Sequence, residues 1–329
     1  MHNIQIAREA LTNYDLRSSH VDALGNAGGF SGAAIFKVDA ADRSFCLKKW
    51  PVNTDLQRLA WIHRVLIFTS ANGCPELITP LNNNAGGSFT QDSTGIWELT
   101  DWARGSANYL QQPNDSKLNR AIDFLARFHQ AAARFHFNFS PSQNVKAALD
   151  RLNEFDSIVT PAAHSKLMLN YLSTEKLNRF EKQGRGVAAG LVQALSEFKD
   201  QPLPVHPVIR DIRAEHLFYE QNELVAVIDF GAMRIDNVAC DLSRIIGDTV
   251  GNNESKVDSV LEQYNSLRPL QHNERQLAKL FKRASVIVGI LNWIKWLILD
   301  SREFGDDESV QQRLKVLISR FDELKKNRA

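Results

Sequence analysis

Two carboxylates and one imidazole that could do chemistry lie within residues 205–241. Asp211 follows a short apolar run, His216 comes five residues later, and Asp229 ends a second apolar run. Carboxylate oxygens bind hard cations such as Mg²⁺, and a neutral imidazole either binds a metal or makes a structural hydrogen bond. This combination is typical of a site for a metal ion and a nucleotide. For His216 itself, ligation and a structural hydrogen bond both remain open.

The residues between these side chains predict a β-hairpin. Residues 217–219 and 224–228 have strand-like composition, and the polar residues 220–223 supply the turn. Such a hairpin brings Asp211 and Asp229, which are 18 positions apart, into one region. A third carboxylate, Asp241, is expected to brace the loop instead of taking part in the chemistry.

The order of these motifs resembles that of the aminoglycoside phosphotransferase and choline kinase-like enzymes, which are small-molecule kinases with a protein-kinase-like fold. The resemblance rests on R-D-x-x-x-x-H ending at His216, I-D-F-G ending at Gly231, and D-x-x-x-x-D-L ending at Leu242. It implies that Asp211 takes or orients the proton of the acceptor hydroxyl and that Asp229 binds Mg²⁺. His216 stands where the family usually has a metal-binding Asn, so Mn²⁺ is the alternative cation.

A glycine-rich sequence near the N-terminus predicts a loop that covers phosphate groups. G-N-A-G-G-F-S-G occupies residues 25–32, and β-type runs follow at 34–38 and 45–50. Glycine lets a backbone turn tightly and bring its N–H groups close to a phosphate. The residues expected to cover the phosphates of ATP are Gly28, Gly29, Ser31 and Gly32.

Two adjacent lysines, Lys48 and Lys49, compete for the role of pairing with the α- and β-phosphates. Strand alternation directs their side chains to opposite faces, so only one of them can contact the nucleotide. Lys48 shares a face with Cys46, and F-C-L-K matches the pattern of this strand in kinase-like enzymes. The resemblance therefore implies Lys48.

A helix is predicted at residues 54–72, where Thr54 can cap the start. In kinase-like folds this helix supplies a Glu that holds the lysine, yet no acidic residue follows Asp55 within the helix. Asp55 could make that ion pair, Gln57 or His63 could replace it, or the pair could be missing.

The resemblance implies an α+β, bilobal protein-kinase-like fold. Its N-lobe, residues 1–101, is expected to hold a five-stranded antiparallel sheet and one helix, with further strands at 77–81, 88–91 and 95–102. The C-lobe, residues 102–329, is larger and mostly helical. The segment after Trp97 resembles the hinge that holds adenine, which implies cofactor contacts at Glu98 and Thr100.

The helical part of the chain contains three aromatic or basic residues of interest. His129 lies at helical spacing among apolar residues and is expected in the core. Trp293 and Trp296 are three positions apart, so they could line an acceptor pocket, but tryptophans at this spacing are more often core residues.

Composition limits the partners. The 329 residues are 43% hydrophobic and 23% charged with a net charge of +1, which is ordinary for a soluble protein and does not point to nucleic acid or a membrane. Three widely separated cysteines predict neither a disulfide framework nor a zinc site, so the cytoplasm fits best. Residues 251–329 hold 14 Lys/Arg and 11 Asp/Glu, a formal +3, which argues against a polycationic antibiotic as the acceptor.

Two classes of function follow from these patterns. The first is an ATP-dependent phosphotransferase that uses Mg²⁺ or Mn²⁺ and acts on a hydroxyl of a small molecule, with a protein hydroxyl not excluded. The second is a pseudokinase-like nucleotide-binding or regulatory protein, suggested by His216 and by the missing helix Glu.

Overall fold

The structure is a computed structural model that describes residues 2–16, 20–25, 32–136, 139–304 and 307–326. It divides into two compact units, each built from two segments of the chain. The first unit comprises Met1–Phe135 and Ala214–Met233, and the second comprises His136–Arg213 and Arg234–Ala329. The predicted lobes, 1–101 and 102–329, stay a prediction.

The strands lie within residues 20–101 and 206–236, and most of the helices lie between and after these two ranges. The strands are β1 (His20–Ala23), β2 (Ala34–Ala40), β3 (Arg43–Trp50), β4 (Thr90–Asp92), β5 (Gly95–Asp101), β6 (His206–Val208), β7 (Leu217–Glu220), β8 (Glu223–Val227) and β9 (Arg234–Asp236). The helices are α1 (His2–Leu11), α2 (Leu56–Ala71), α3 (Asp115–Ala132), α4 (Asn144–Asn153), α5 (Phe155–Ile158), α6 (Pro161–Asn170), α7 (Thr174–Ser196), α8 (Ala239–Thr249), α9 (Glu254–Leu267), α10 (His272–Ile294) and α11 (Asp307–Lys326).

The first unit contains an antiparallel five-stranded sheet in the order β1-β2-β3-β5-β4. The predicted number of strands is right, and the runs predicted at 34–38, 45–50, 88–91 and 95–102 correspond to β2, β3, β4 and β5, but the fifth strand differs. Residues 77–81 form only isolated bridges, at Leu77 and Pro80, because proline lacks the N–H that a ladder needs. The fifth strand is instead β1, which the sequence reading missed.

Side-chain alternation separates the sheet into a core face and a polar face. Positions 45 and 47 of β3 and positions 97 and 99 of β5 join a buried cluster together with residues of α1 and β2. Because successive side chains point to opposite faces, Lys48, Trp50 and Glu98 lie on the other face. The cluster consists of Ala7, Ala10, Leu11, Tyr14, Val21, Phe36, Val38, Phe45, Leu47, Trp97 and Leu99.

Helix α2 begins at Leu56, two residues later than predicted, and has a different cap. The side chain of Asp55 accepts hydrogen bonds from the backbone N–H groups of Gln57, at 3.0 Å, and Arg58, at 3.1 Å. Thr54, the predicted cap, donates its hydroxyl to the carbonyl of Pro51 instead. The difference has a physical reason, since a carboxylate at the N-cap also interacts favourably with the helix dipole.

The second unit is mostly helical and contains the two-stranded sheet β6-β9. Helix α10 runs into a single π-helical turn at Lys295–Leu299. The fold class is confirmed: an antiparallel sheet near the N-terminus and a mostly helical remainder make an α+β protein. Among the residues that the structure describes, no helix has both the length and the apolar character needed to cross a membrane.

Candidate active site

An ion pair in the first unit joins two residues that are 181 positions apart in the chain. Nζ of Lys48 lies 3.4 Å from Oδ1 of Asp229. Lys49 is elsewhere, with its Nζ 5.2 Å from the ring centroid of Trp97 in the core cluster. The structure therefore confirms that the two lysines leave opposite faces of β3, and it brings Lys48 to the DFG aspartate.

Asp229 adopts a backbone conformation that few non-glycine residues adopt, with φ at 63°. Partial desolvation opposes the charge of its carboxylate, but the nearby Lys48 ammonium and His216 ring, with hydrogen bonds from Lys48 and the Gly231 backbone, lower its pKa. The carboxylate is therefore ionised and available to a cation at neutral pH. An uncommon conformation held in place by its surroundings is characteristic of a functional site.

His216 lies beside Asp229, at the start of the predicted hairpin, which is present as β7 and β8. Its Nε2 is 3.8 Å from Oδ2 of Asp229, and its side chain is only 8% exposed. The carbonyl of His216 accepts a hydrogen bond from the N–H of Ile228, which ties the two strands together. One imidazole nitrogen and one carboxylate oxygen thus face the same region, and this donor set fits a divalent cation.

Asp211 belongs to the second unit. Its Oδ1 lies 3.5 Å from Nε of Arg213 and 3.7 Å from Nε of Arg244, so two guanidinium groups orient the carboxylate. The preceding residue, Arg210, has φ at 68° and donates from Nη2 to Oδ1 of Asn144 at 2.7 Å. The loop at Asp211 therefore has a defined and uncommon backbone conformation.

Asp241, on α8, is the reason that this loop can keep its conformation. Its two carboxylate oxygens accept hydrogen bonds from the backbone N–H groups of Ile209, at 2.8 Å, and Arg210, at 2.5 Å. The residue is fully buried, and this burial raises its pKa to about 6 despite the two hydrogen bonds. The prediction that Asp241 braces the loop is confirmed.

The predicted phosphate-covering residues are only partly described. Gly28, Gly29 and Ser31 lie outside the described residues. Gly32 has φ at 77°, a conformation that glycine adopts without steric cost and that other residues rarely take. Its contact with phosphate stays a prediction.

Glu98 and Thr100, the predicted adenine contacts, lie in β5. Glu98 pairs with Lys48 across the sheet, and Thr100 pairs with Cys46. The hydroxyl of Thr100 donates to the carbonyl of Asp101 at 3.2 Å. Adenine contacts at these two residues stay a prediction.

Helix α2 contacts the DFG segment by a residue that the sequence reading missed. Arg58 donates from Nη1 and Nη2 to the carbonyl of Gly231, at 2.8 and 2.9 Å, and from Nη1 to the carbonyl of Met233 at 3.3 Å. Asp55, one option for pairing with the lysine, accepts the N-cap hydrogen bonds, and the carboxylate that Lys48 pairs with is that of Asp229. The available signal was the position of Arg58, one turn inside a helix that faces the catalytic segment.

The two tryptophans of the second unit are partly core residues. Trp293 is buried, as expected, and stacks edge-on to Trp296 with ring centroids 5.4 Å apart. Trp296 is half-buried, and the guanidinium of Arg302 lies 5.5 Å from its ring centroid. His129 is fully buried, which confirms it as a core histidine.

Comparison with known proteins identifies the family. A model of the phosphotransferase enzyme family matches residues 22–277, which is most of the chain. The chain belongs to the phosphotransferase enzyme family. No curated protein matches this phosphotransferase closely enough to count as a relative.

Solved structures agree with this phosphotransferase in fold. An aminoglycoside phosphotransferase from Alicyclobacillus acidocaldarius subsp. acidocaldarius DSM 446 has a TM-score of 0.67 and 13% identity, and the match covers 96% of this chain and 93% of that one. Spectinomycin phosphotransferase in complex with ADP and spectinomycin has a TM-score of 0.67 and 12% identity, with 94% and 96% covered. A choline/ethanolamine kinase family protein from Mesorhizobium loti has a TM-score of 0.59 and 16% identity, and the match covers 98% of this chain and 95% of that one. The predicted resemblance is confirmed.

Replacement of Asp241 by Asn tests the buried brace by its pH dependence. The pKa of this carboxyl is about 6 in the folded protein, above its ordinary value. Between the ordinary pKa and this raised pKa, the folded chain therefore keeps a proton on Asp241 that the unfolded chain has lost. The free energy of unfolding of the wild type should therefore fall relative to Asp241→Asn, by up to about 3 kcal/mol, as the pH rises through this window. Urea unfolding at several pH values between about 4 and about 7 measures the difference. A constant difference between the two proteins across this range would contradict the prediction.

Proposed function

We propose that this phosphotransferase transfers the γ-phosphoryl group of ATP to a hydroxyl of a small molecule. The observation that carries the proposal is the ion pair between Lys48 and Asp229, because it unites the side chain expected on the phosphates with the one expected on the cation. Membership of the phosphotransferase enzyme family supports the reaction type. The solved relative that binds ADP and spectinomycin supports the use of an adenine nucleotide and a small acceptor.

On this proposal, the first unit binds the nucleotide. The ammonium of Lys48 pairs with the α- and β-phosphates, and the backbone at Gly28, Gly29, Ser31 and Gly32 covers them. Backbone groups at Glu98 and Thr100 hold the adenine. Asp229 and His216 would hold Mg²⁺ or Mn²⁺, which neutralises phosphate charge when it is bound.

Asp211 is the proposed base of the reaction. Its carboxylate takes the proton of the acceptor hydroxyl as the acceptor oxygen forms a bond to the γ-phosphorus. The bond from that phosphorus to the oxygen it shares with the β-phosphate breaks, and ADP leaves with that electron pair. The ion pairs with Arg213 and Arg244 keep the carboxylate in one orientation during the proton transfer.

Charge favours one class of acceptor. Residues 251–329 carry a formal +3, from 14 Lys/Arg and 11 Asp/Glu, and such a surplus does not suit a polycation. We propose a neutral or zwitterionic metabolite, such as a sugar, an amino alcohol or a hydroxy amino acid. A small diffusible acceptor of this kind is consistent with a cytoplasmic enzyme.

Replacement of Asp211 by Ala tests the reaction. If Asp211 is the base, ATP turnover with a panel of hydroxyl acceptors should fall by at least about a hundredfold, because general base catalysis contributes on this scale. ATP binding, measured by calorimetry, should change little, since Asp211 is not among the nucleotide contacts. Undiminished turnover by Asp211→Ala would reject this mechanism. Binding without turnover by the wild type, against every acceptor, would favour a nucleotide-binding protein without catalysis.

Separate replacement of Lys48 and Lys49 by Ala tests which lysine binds the nucleotide. Lys48→Ala should weaken ATP binding by about tenfold or more, because a charge-assisted contact to phosphate is lost. Lys49→Ala should weaken it less than about twofold, since its side chain leaves the opposite face of the strand. Calorimetric titration with ATP compares the two variants directly. Equal losses would show that the polar face of β3 is not the nucleotide face.

Replacement of His216 by Asn tests the proposed ligand. Nitrogen ligands suit Mn²⁺ better than Mg²⁺, whereas an amide oxygen is the harder donor that Mg²⁺ prefers. His216→Asn should therefore shift the preference toward Mg²⁺, seen as a larger rise in melting temperature with ATP and Mg²⁺ than in the wild type. Asp229→Ala is the control and should lose the metal-dependent rise in both cations. An identical preference in wild type and His216→Asn would leave His216 with a structural role alone.

A further inference from the structure

Lys48 has a second acidic neighbour, which lies on the next strand instead of on helix α2. Glu98 is directly opposite Lys48 in the β3–β5 ladder, so the two side chains project from the same face of the sheet. Both are mostly buried, with side-chain exposures of 18% for Lys48 and 12% for Glu98. The Glu98 carboxylate is therefore near enough to attract the Lys48 ammonium electrostatically without a direct salt bridge.

Glu98 is held in its ionised form. Burial opposes the charge, but the hydrogen bond and electrostatic interaction with His63, the Lys48 ammonium, and a hydrogen bond from Trp50 together lower the pKa of the carboxyl. Its Oε2 accepts the indole N–H of Trp50 at 2.7 Å and lies 3.2 Å from Nε2 of His63. A buried carboxylate with these partners has one well-defined position.

The indole of Trp50 connects this carboxylate to the lysine. Nζ of Lys48 lies 4.1 Å from the centroid of the Trp50 ring, within the range of a cation–π interaction. The same ring packs closely against the DFG segment. A methyl group added at Gly231 would lie only 3.3 Å from the ring. The ammonium of Lys48 is thus held between the face of Trp50 and the carboxylate of Asp229.

Helix α2 contributes to this arrangement by a histidine. His63 contacts Glu98 with Nε2, and its Nδ1 lies 2.8 Å from the hydroxyl of Ser88. The imidazole is almost fully buried, at 2% side-chain exposure, so it cannot rotate freely away from these two partners. A contact between helix and lysine therefore exists in this chain, but it runs from His63 through Glu98 and Trp50.

We propose that Glu98 is the positioning residue for Lys48, acting through the indole of Trp50 and anchored to helix α2 by His63. It takes the role that the resemblance assigns to a Glu on that helix. This inference rests on the proposed function, because it concerns the lysine that contacts ATP. The side chain of Glu98 has this role in addition to the adenine contacts proposed for the backbone of β5.

A double-mutant cycle between Glu98 and Lys48 tests the proposal. Glu98→Gln should weaken ATP binding by roughly tenfold, since the neutral amide keeps the shape but no longer attracts the ammonium. In the Lys48→Ala background the same replacement should change the affinity less than about twofold, because the group that Glu98 positions is gone. Calorimetric titration with ATP supplies all four dissociation constants. A purely structural Glu98 would give equal effects in both backgrounds, and that result would overturn the proposal.

Glu76→Gln is the matched control. Glu76 is a similarly buried carboxylate of the first unit, at 15% side-chain exposure, but it pairs with Arg127 instead of the Lys48 group. Its replacement should leave the affinity for ATP within about twofold of the wild type, although it removes the ion pair of a mostly buried carboxylate with the partly exposed Arg127. An equal loss of ATP affinity in Glu76→Gln and Glu98→Gln would overturn the specific role of Glu98.

A second variant covers the case in which Glu98→Gln does not fold. Trp50→Phe keeps an aromatic ring beside Lys48 but removes the N–H that Glu98 accepts, together with one of the two indole rings, so it should raise the KM for ATP several-fold and leave the KM for the acceptor unchanged. No change in the KM for ATP would overturn the route through the indole. A wild type that binds no ATP would reject the proposed function itself, whereas binding with additive effects would reject only the positioning role.

Discussion

An ammonium group that is mostly removed from water needs negative charge nearby, and Lys48 imposes this requirement on the first unit. Its side chain is 18% exposed, and the structure meets the requirement from two directions. Asp229 supplies one carboxylate from the DFG segment, and Glu98 supplies another from the neighbouring strand. Both carboxyl groups have lowered pKa values, Glu98 in spite of its burial, so the cluster stays charged. The alternation of β3 and β5 places this charge on one face and the apolar core on the other.

Much of this arrangement could be predicted from the sequence because it depends on local patterns. The placement of Lys48 and Lys49 on opposite faces needed only the two-residue period of a strand, and the hairpin between Asp211 and Asp229 needed only two apolar runs and a polar turn. The bracing role of Asp241 followed from the D-x-x-x-x-D-L pattern, and both its oxygens indeed accept backbone hydrogen bonds. Local periodicity is visible in a single sequence, so these features were accessible.

The features that were missed depend on contacts between distant segments. The strand expected at 77–81 has suitable composition, but Pro80 cannot donate to a ladder and bridges to Thr100 of β5 alone, while the fifth strand, β1, lies at the other edge beside β2. For the group on helix α2 that holds the lysine, the sequence left Asp55, a replacement by Gln57 or His63, or no pair at all. In the structure Arg58 contacts two carbonyls and His63 contacts Glu98, and these partners lie 173, 175 and 35 positions away. No periodicity of the helix itself encodes such partners.

The contact of Arg58 with the carbonyl groups of Gly231 and Met233 has a consequence for control of the enzyme. In an ionic link between a lysine and a glutamate, protonating the carboxylate or adding a competing ion weakens the connection. A guanidinium stays charged at any physiological pH, and a peptide carbonyl cannot titrate. Lysine is not an equivalent, because two guanidinium nitrogens converge on the carbonyl oxygen of Gly231, which the single nitrogen of an ammonium cannot reproduce. Helix α2 and the DFG segment are thus joined by hydrogen bonds in which neither partner titrates, so changes in pH or salt concentration should affect this link little.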